Sequence, residues 1–290
     1  MTSISFNLSG KLNPNLVNLL RLVSQEAQAL GITFFIVGAS ARDIVMEYCH
    51  AIRPIRGTRD IDIGVEVAGW DEFQRLKRNL IDTRRFEPTG EEFRLSSGMF
   101  QLDIVPFGGV STDQHTITWP PDQQVIMNIM GFQEAYDYAM TVRLCEEPVF
   151  DVKVPTIPGM AVMKMISWQD RYPERPKDAE DLVFLMEHYD EAGNMNRLYE
   201  EETDLLQEEG FDQTMAGIRL LGRDMAAMAS QSTAKVILAI LETEIHTQGR
   251  YRLVHDMLRA ARQSDKFDEM LEKVTKLQQG FAERYRGTDE

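Results

Sequence analysis

Two aspartates, Asp60 and Asp62, stand at positions i and i+2 in the segment RDIDIGVEV. Its polar and apolar residues alternate with period two, the pattern of a strand with one wet and one buried face. On such a strand both carboxylates leave the same face, about 7 Å apart along the backbone. Adjacent acids repel unless water, a base or a cation compensates them. A divalent ion does so directly, and magnesium favours one or two carboxylates completed by waters and substrate phosphates. A third acid, Asp103, lies in QLDIV, where Leu102 and Ile104 take the opposite face. If the two strands are neighbours, Asp103 joins the pair. Three carboxylates around a pair of Mg2+ (or Mn2+) ions would serve in-line displacement at phosphorus, one ion on a triphosphate and the other activating a hydroxyl. The plainer alternative is that Asp60 and Asp62 only form the solvated face of a half-exposed strand.

The turn Gly38-Ala39-Ser40 favours the chemical reading. It follows the apolar run ITFFIV and comes about twenty residues before the acid pair. Small residues let backbone amides approach a phosphate, and a helix N-terminus adds positive potential. The Ser40 hydroxyl could donate to a phosphate oxygen. Arg42 could contact phosphate or pair with Asp43.

The elements that must position these residues are legible in outline. A helix opens at Asn13-Pro14, carries the stripe Leu16, Leu19, Leu20, Leu22 and Val23, and ends at Gly31. Residues 32–37 form a buried strand, 41–48 a short helix, and 50–59 a loop holding Arg53, Arg56 and Arg59. Those arginines are either solvated loop charges or the lining of an entrance for triphosphate or an RNA acceptor. The strand 59–67 is followed by an amphipathic helix over 71–80 and a hairpin, 93–97 with 100–105, around Ser97-Gly98. Strands over 140–144 and 150–154 close the mixed part. After Pro155 the periodicity turns helical: 157–169, 178–189, 195–207 and several segments between 211 and 286. The expected class is α+β, with a small mixed sheet in a head spanning 1–155 and a helical region spanning 156–290.

Composition narrows the alternatives. Of the 290 residues, 43% are hydrophobic and 27% charged, which excludes a globally disordered chain. Cys49 and Cys145 form no CxxC, and no histidine has metal-ligand spacing, so a disulfide framework or zinc site has no support. No apolar run reaches the length of a membrane span, and the first residues lack a signal-peptide pattern, so a soluble cytoplasmic protein is expected. Lysine and arginine total 31 against 46 acids, a net charge of −15. That balance opposes a surface held to nucleic acid everywhere, but not a local basic groove. Residues 187–212 hold ten acids and a single arginine, and are expected to form one acidic helical face serving a protein partner or solubility.

Taken together, the layout resembles the nucleotidyltransferase superfamily typified by DNA polymerase β. There a glycine-containing turn precedes an acid-hydrophobic-acid strand, and a third acid follows on a later strand. Gly38, Asp60-Ile61-Asp62-Ile63 and Asp103 fall on these elements, although the turn reads Gly-Ala-Ser where the family has adjacent Gly-Gly or Gly-Ser. VGASARD is also similar to the opening of the CCA-adding and poly(A) polymerase branch, whose basic motif after the acid strand is not evident. Downstream, VPTIPGMAVMKMISWQDRYPERPKDAEDL resembles a motif of the AbiEii-type nucleotidyltransferases, toxin components of toxin–antitoxin pairs. Lys164, Arg171, Lys177, Asp178 and Asp181 occupy its charged places.

The resemblance implies transfer of a nucleoside monophosphate from an NTP to a hydroxyl. Asp60 and Asp62 would hold the metals, Asp103 would be a metal ligand or the base that activates the acceptor, and Gly38, Ser40 and Arg42 would bind phosphate. Lys164 would contact nucleotide phosphate, with Asp178 beside the nucleotide. The helical region would complete the nucleotide cleft and bind acceptor or partner. tRNA or another RNA is the implied acceptor, and an antitoxin protein the implied partner. On the residues alone, Lys164 could equally snorkel to the surface from its apolar helix. Asp178 could equally be a helix-capping acid, and Asp181 could pair with Lys177. A small-molecule acceptor, or a non-catalytic nucleotide-binding protein on the same scaffold, are the alternative functions.

Overall fold

The computed structural model describes residues 4–54, 56–58, 60–111, 115–121, 123–174, 176–261 and 265–286. Arg59, one of the three loop arginines, lies outside them. The chain divides into two units, Met1–Thr156 and Ile157–Glu290.

The first unit is mixed. In chain order it contains β1 (Phe6–Asn7), α1 (Pro14–Ala29), β2 (Thr33–Val37), α2 (Gly38–Asp43), β3 (Asp60–Val67), α3 (Trp70–Asp82) and β4 (Glu87–Pro88). These are followed by β5 (Arg94–Ser96), β6 (Gln101–Gly108), β7 (Thr116–Thr118), β8 (Ile126–Asn128), α4 (Phe132–Asp137), β9 (Met140–Glu146) and β10 (Val149–Val154). Asn13 caps α1, its side chain accepting the Asn15 amide, and Pro14 opens the first turn where no backbone donor is needed. A five-stranded sheet has the order β2-β3-β6-β5-β4. Within it β3 and β6 are parallel, while β2 and β5 run antiparallel to them on either side. Phe35, Ile61, Ile63, Val65, Leu102 and Ile104 from this sheet are fully or almost fully buried, as are Leu20 and Val23 of α1 and Phe73 and Leu76 of α3. The second sheet joins β1, β9 and β10, and β7 pairs with β8.

One boundary differs from expectation in a way that matters below. The short helix begins at Gly38 itself and continues from α2 into a π-helical segment, Ile44–Cys49. The Gly38-Ala39-Ser40 segment is therefore the first turn of a helix and not a loop before one.

The second unit is helical: α5 (Ile157–Arg171), α6 (Pro176–Glu187), α7 (Met195–Glu200), α8 (Thr203–Glu208), α9 (Gln213–Met228), α10 (Gln231–Ile245), α11 (Arg252–Ala261) and α12 (Phe267–Arg286). A kinked segment, Asp190–Asn194, with Ala192 and Gly193 outside helical backbone angles, precedes α7. The helix expected over 195–207 is broken in two, and the break brings Glu202 and Asp204 to Arg223 of α9, at 2.7 and 3.4 Å. The acidic stretch is thus not a bare face. Buried Arg219 meets Glu208, Glu209 and Glu283 at 2.7, 3.0 and 2.5 Å. Lys276 and Lys273 of α12 pair with Glu209 and Glu187, and Asp212 caps α9 by accepting the Met215 amide. Five of the ten acids, Glu187, Glu202, Asp204, Glu208 and Glu209, thus have a lysine or arginine partner, which corrects the expectation of a single acidic face. Among the described residues no helix is long and apolar enough to cross a membrane.

Two positions in this unit make testable demands. A β-carbon at Gly280 of α12 would collide with the Arg219 carbonyl of α9, so the two helices meet backbone to backbone there. Gly280→Ala is expected to lower stability by about 2 kcal/mol in urea unfolding, the cost of overpacking a tight contact. Asp190 is buried, its Oδ1 has no hydrogen-bond partner, and burial raises its pKa. A carboxyl raised in the folded state stabilises fully at low pH, and loses that contribution as pH rises through its folded pKa. Asp190→Asn is therefore expected to raise Tm by about 3 °C at pH 7. The gain should vanish below the ordinary carboxylate range, in thermal scans across pH.

Candidate active site

The acid face is set by strand register. Along the parallel β3–β6 pair Asp62 stands opposite Asp103 and Asp60 opposite Gln101, while Val37 of β2 stands opposite Asp62. Because side chains alternate, Asp60, Asp62 and Asp103 share one face of the sheet. Asp60 is exposed, Asp62 half-buried and Asp103 buried.

Gly38 sits against this face. Its φ is +65°, and a β-carbon there would lie 2.7 Å from Asp62 Cγ and closer still to Oδ2. Only a residue without a side chain lets the end of β2 turn beside the Asp62 carboxylate. Ser40 is buried, and its hydroxyl donates to the Asp60 carbonyl at 2.6 Å. The proton expected to meet a phosphate is thus committed to tying α2 to the start of β3. Arg42 also differs from the phosphate role expected of it. It is 2% exposed and donates to the Asp43 carboxylate (Nε, 2.9 Å) and to the Arg56 carbonyl (Nη2, 2.7 Å). Asp43 in turn accepts the Thr58 amide at 3.3 Å, and Thr58 Oγ1 accepts the Asp60 amide at 3.1 Å. Arg42, Asp43 and Thr58 therefore brace the chain that enters β3. Arg53 points to solvent, 3.7 Å from Glu47.

One residue that sequence reasoning missed acts directly on the acids. Arg94 of β5 pairs in register with Asp103, and its guanidinium forms a two-pronged bond, Nε to Oδ1 at 2.6 Å and Nη2 to Oδ2 at 2.7 Å. Those hydrogen bonds, with the charges of Asp103, Asp60 and Asp62, hold the Arg94 pKa above its ordinary value despite partial burial. The signal was present in the hairpin. Counting outward from the turn pairs Ser96 with Gln101, Leu95 with Leu102 and Arg94 with Asp103. Among the described residues no three carboxylate, imidazole or thiol groups are gathered around one point where a metal ion would sit.

A cavity of about 560 Å3 opens beside Asp60. Leu12, Leu16, Ile44, Tyr48, Met99 and Phe100 give it apolar walls, and Ser40, Asp43, Thr58 and Asp60 line it with polar groups. No lysine or arginine of the described residues lines it.

In the second unit Lys164 of α5 is buried between two acids of α6, 2.9 Å from Asp178 and 2.6 Å from Asp181. Asp178 also accepts a hydrogen bond from Ser167 at 2.8 Å. Burial pushes the Lys164 pKa down, but the two carboxylates outweigh it and the net shift is upward. Asp178 lies in the first turn of α6 and holds Lys164, and Asp181 faces Lys164 as well.

Gly38→Ala tests the contact that shapes the acid face. The substitution is strained at this φ and drives a methyl group into Asp62. Nucleotide transfer is expected to fall at least 100-fold while far-UV circular dichroism stays native. A variant with native activity would refute the contact.

The family model described as nucleotidyl transferase AbiEii toxin, Type IV TA system, matches residues 28–279. No curated protein matches the chain in sequence. Among solved structures, ANT(2'')-Ia in complex with adenylyl-2''-tobramycin is similar at 14% identity and a TM-score of 0.37, over 70% of this chain and 97% of that one. A CCA-adding enzyme in complex with ATP is similar at 14% identity and a TM-score of 0.33, over 97% of this chain and 83% of that one. The Thermotoga maritima CCA-adding enzyme complexed with tRNA is similar at 13% identity and a TM-score of 0.26, over 97% and 82% of the two chains. Because the family match runs from the end of α1 through the acid face and Lys164 into α12, this chain belongs to the AbiEii nucleotidyl transferase family.

Proposed function

We propose that this nucleotidyl transferase is metal-dependent, moves a nucleoside monophosphate from an NTP to a hydroxyl of tRNA or another RNA, and is the toxin of a toxin–antitoxin pair. The observation that carries the catalytic part is the register that sets Asp62 opposite Asp103, with Asp60 on the same face and Gly38 against Asp62. An all-carboxylate donor set suits Mg2+ or Mn2+, which keep waters and substrate phosphates in their shell. Asp60 and Asp62, on one face of β3, would hold such an ion, and Asp103 would be the third ligand by sharing an oxygen or by exchanging its arginine. The bound metal supplies charge stabilisation at phosphorus and a lowered pKa for the attacking hydroxyl.

The chain's own residues do the positioning. Gly38 leaves room for phosphate oxygens next to Asp62, and the first turn of α2 directs backbone amides toward them. Ser40 and Arg42 support this indirectly, Ser40 by fixing the start of β3 and Arg42 by fixing the loop before it. Lys164 is assigned to nucleotide phosphate, with Asp178 and Asp181 keeping its ammonium charged and oriented. The family description supports the toxin role and an antitoxin partner.

A second reading has its own observation. The cavity beside Asp60 carries two carboxylates and, among the described residues, no basic side chain. Such a lining suits a neutral or cationic hydroxyl acceptor better than a phosphodiester. A small-molecule acceptor is therefore the alternative.

Incubation with each α-labelled NTP, Mg2+ and either total RNA or a small-molecule extract decides between them. Label in RNA is expected, together with released pyrophosphate. Asp60→Asn and Asp62→Asn should each reduce it by about 100-fold or more, the effect of losing a few kcal/mol of transition-state stabilisation. Label only in small molecules would reject the RNA acceptor, and unchanged transfer by both variants would reject the site.

A further inference from the structure

To ligate a metal, Asp103 must share its oxygens with its present partner or release that partner. Both of its carboxylate oxygens are taken by one guanidinium, at 2.6 and 2.7 Å. The geometry comes from the backbone, because the antiparallel β5–β6 hairpin places residue 94 directly across from residue 103. On the reading that Asp60, Asp62 and Asp103 hold the metal, we infer that Arg94 and a divalent cation compete for Asp103, so that Arg94 sets how tightly the acid face takes up its metal.

Exposure says which partner yields. The Asp103 side chain is 11% exposed and the Arg94 side chain 33%. Asp103 is held between two strands in the middle of the sheet, whereas the guanidinium has solvent on one side to move into. Arg94 also feels the charges of Asp60 and Asp62, so its single positive charge is the resident counter-charge for the whole face. A divalent ion brings twice that charge to the same carboxylates, and a triphosphate brings further oxygen ligands to the ion. The exchange therefore swaps one cation for another without leaving Asp103 buried and unpaired, a condition that would be costly. It also accounts for the absence, among the described residues, of a gathered three-ligand cluster beside three acids that share a face. Asp103 is turned to its arginine. Lysine would keep the charge at position 94 but could not occupy both oxygens at once.

The test is a Mn2+ titration of the full-length, nucleotide-free protein, followed by the electron paramagnetic resonance signal of free Mn2+. Wild type, Arg94→Gln, Arg94→Lys, Asp103→Asn and the double variant Arg94→Gln/Asp103→Asn are compared, and thermal unfolding shows that each is folded. Arg94→Gln is expected to bind Mn2+ about ten-fold more tightly than wild type, the scale of one charge-assisted fork. The gain should disappear when Asp103→Asn is added. Arg94→Lys should also tighten binding, because the fork is lost. If Arg94→Gln binds no more tightly than wild type, the competition is overturned and Arg94 only positions Asp103. If the gain survives in the Asp103→Asn background, or if Gln tightens binding and Lys does not, the effect is general electrostatics and the inference falls. Absence of Mn2+ binding in every folded protein would overturn both this inference and the metal reading beneath it.

Discussion

The parallel pairing of β3 with β6 puts Asp62 opposite Asp103, with Asp60 two residues earlier on the same face, and this concentration of negative charge governs what surrounds it. Two unit charges about 5 Å apart near a protein surface repel by about 3 kcal/mol. A third charge adds to that. The sheet answers by extending one strand further: β5 brings Arg94 into register with Asp103, the most buried and least solvated of the three acids. Asp60, at the exposed start of β3, is left to water. A gradient of compensation thus runs across the face, from an acid paired with an arginine to one open to solvent. On the metal-dependent reading proposed above, the open end of that gradient is where a cation bearing polyphosphate would enter.

Around this face the side chains with the most obvious chemical promise, Ser40 and Arg42, turn inward to hold the frame. Ser40 ties α2 to β3, and Arg42 ties α2 to the loop before β3 through Asp43 and the Arg56 carbonyl. What remains at the surface of the turn is Gly38, whose contribution is the absence of a β-carbon next to Asp62. Placement of the glycine is therefore the more demanding requirement, and Ala39 in the second position of the turn is compatible with it. A hydroxyl or guanidinium in a motif-like segment signals function only when its hydrogen bonds are not already consumed by the frame.

Much of this frame was legible from the chain alone, and the reasons for the gaps are physical. Long runs with strong periodicity announced themselves: the stripe from Leu16 to Val23, the alternation of Asp60 to Val67, and the hairpin about Ser97-Gly98. β4, β7 and β8 are two or three residues long and have no room for a period. β1 pairs with β9 across more than a hundred residues, a contact with no local signal. At the site, the type of the three acids is readable in the sequence but their partner is not. Arg94 is an ordinary arginine in a strand until the hairpin register is counted. Lys164 was noticed as a charge on an apolar helix, yet its two carboxylate partners lie on the next helix. The sequence marks which residues are unusual, while pairing across elements decides what they do.

Net charge illustrates the same distinction. A value of −15 is a sum over the chain, whereas a polyanion responds to the local field within about a Debye length. In the second unit the densest run of acids has its cations supplied from elsewhere in sequence, Arg219 and Arg223 from α9 and Lys273 and Lys276 from α12. Those pairs are partly buried, so they are screened less by salt than exposed ones and cancel more completely at a distance. The stretch that most opposes a nucleic-acid substrate on composition is therefore offset in part, although Arg219, Arg223 and Lys273 are shared with Glu283 and Glu269. Opposition to a polyanion is sharpest at the acid face, where Asp60 is exposed, and on the proposed metal-dependent reading a divalent ion there would reverse its sign. The charge that counts against RNA on the chain as a whole is, at the acid face, the charge that would recruit the metal to receive it.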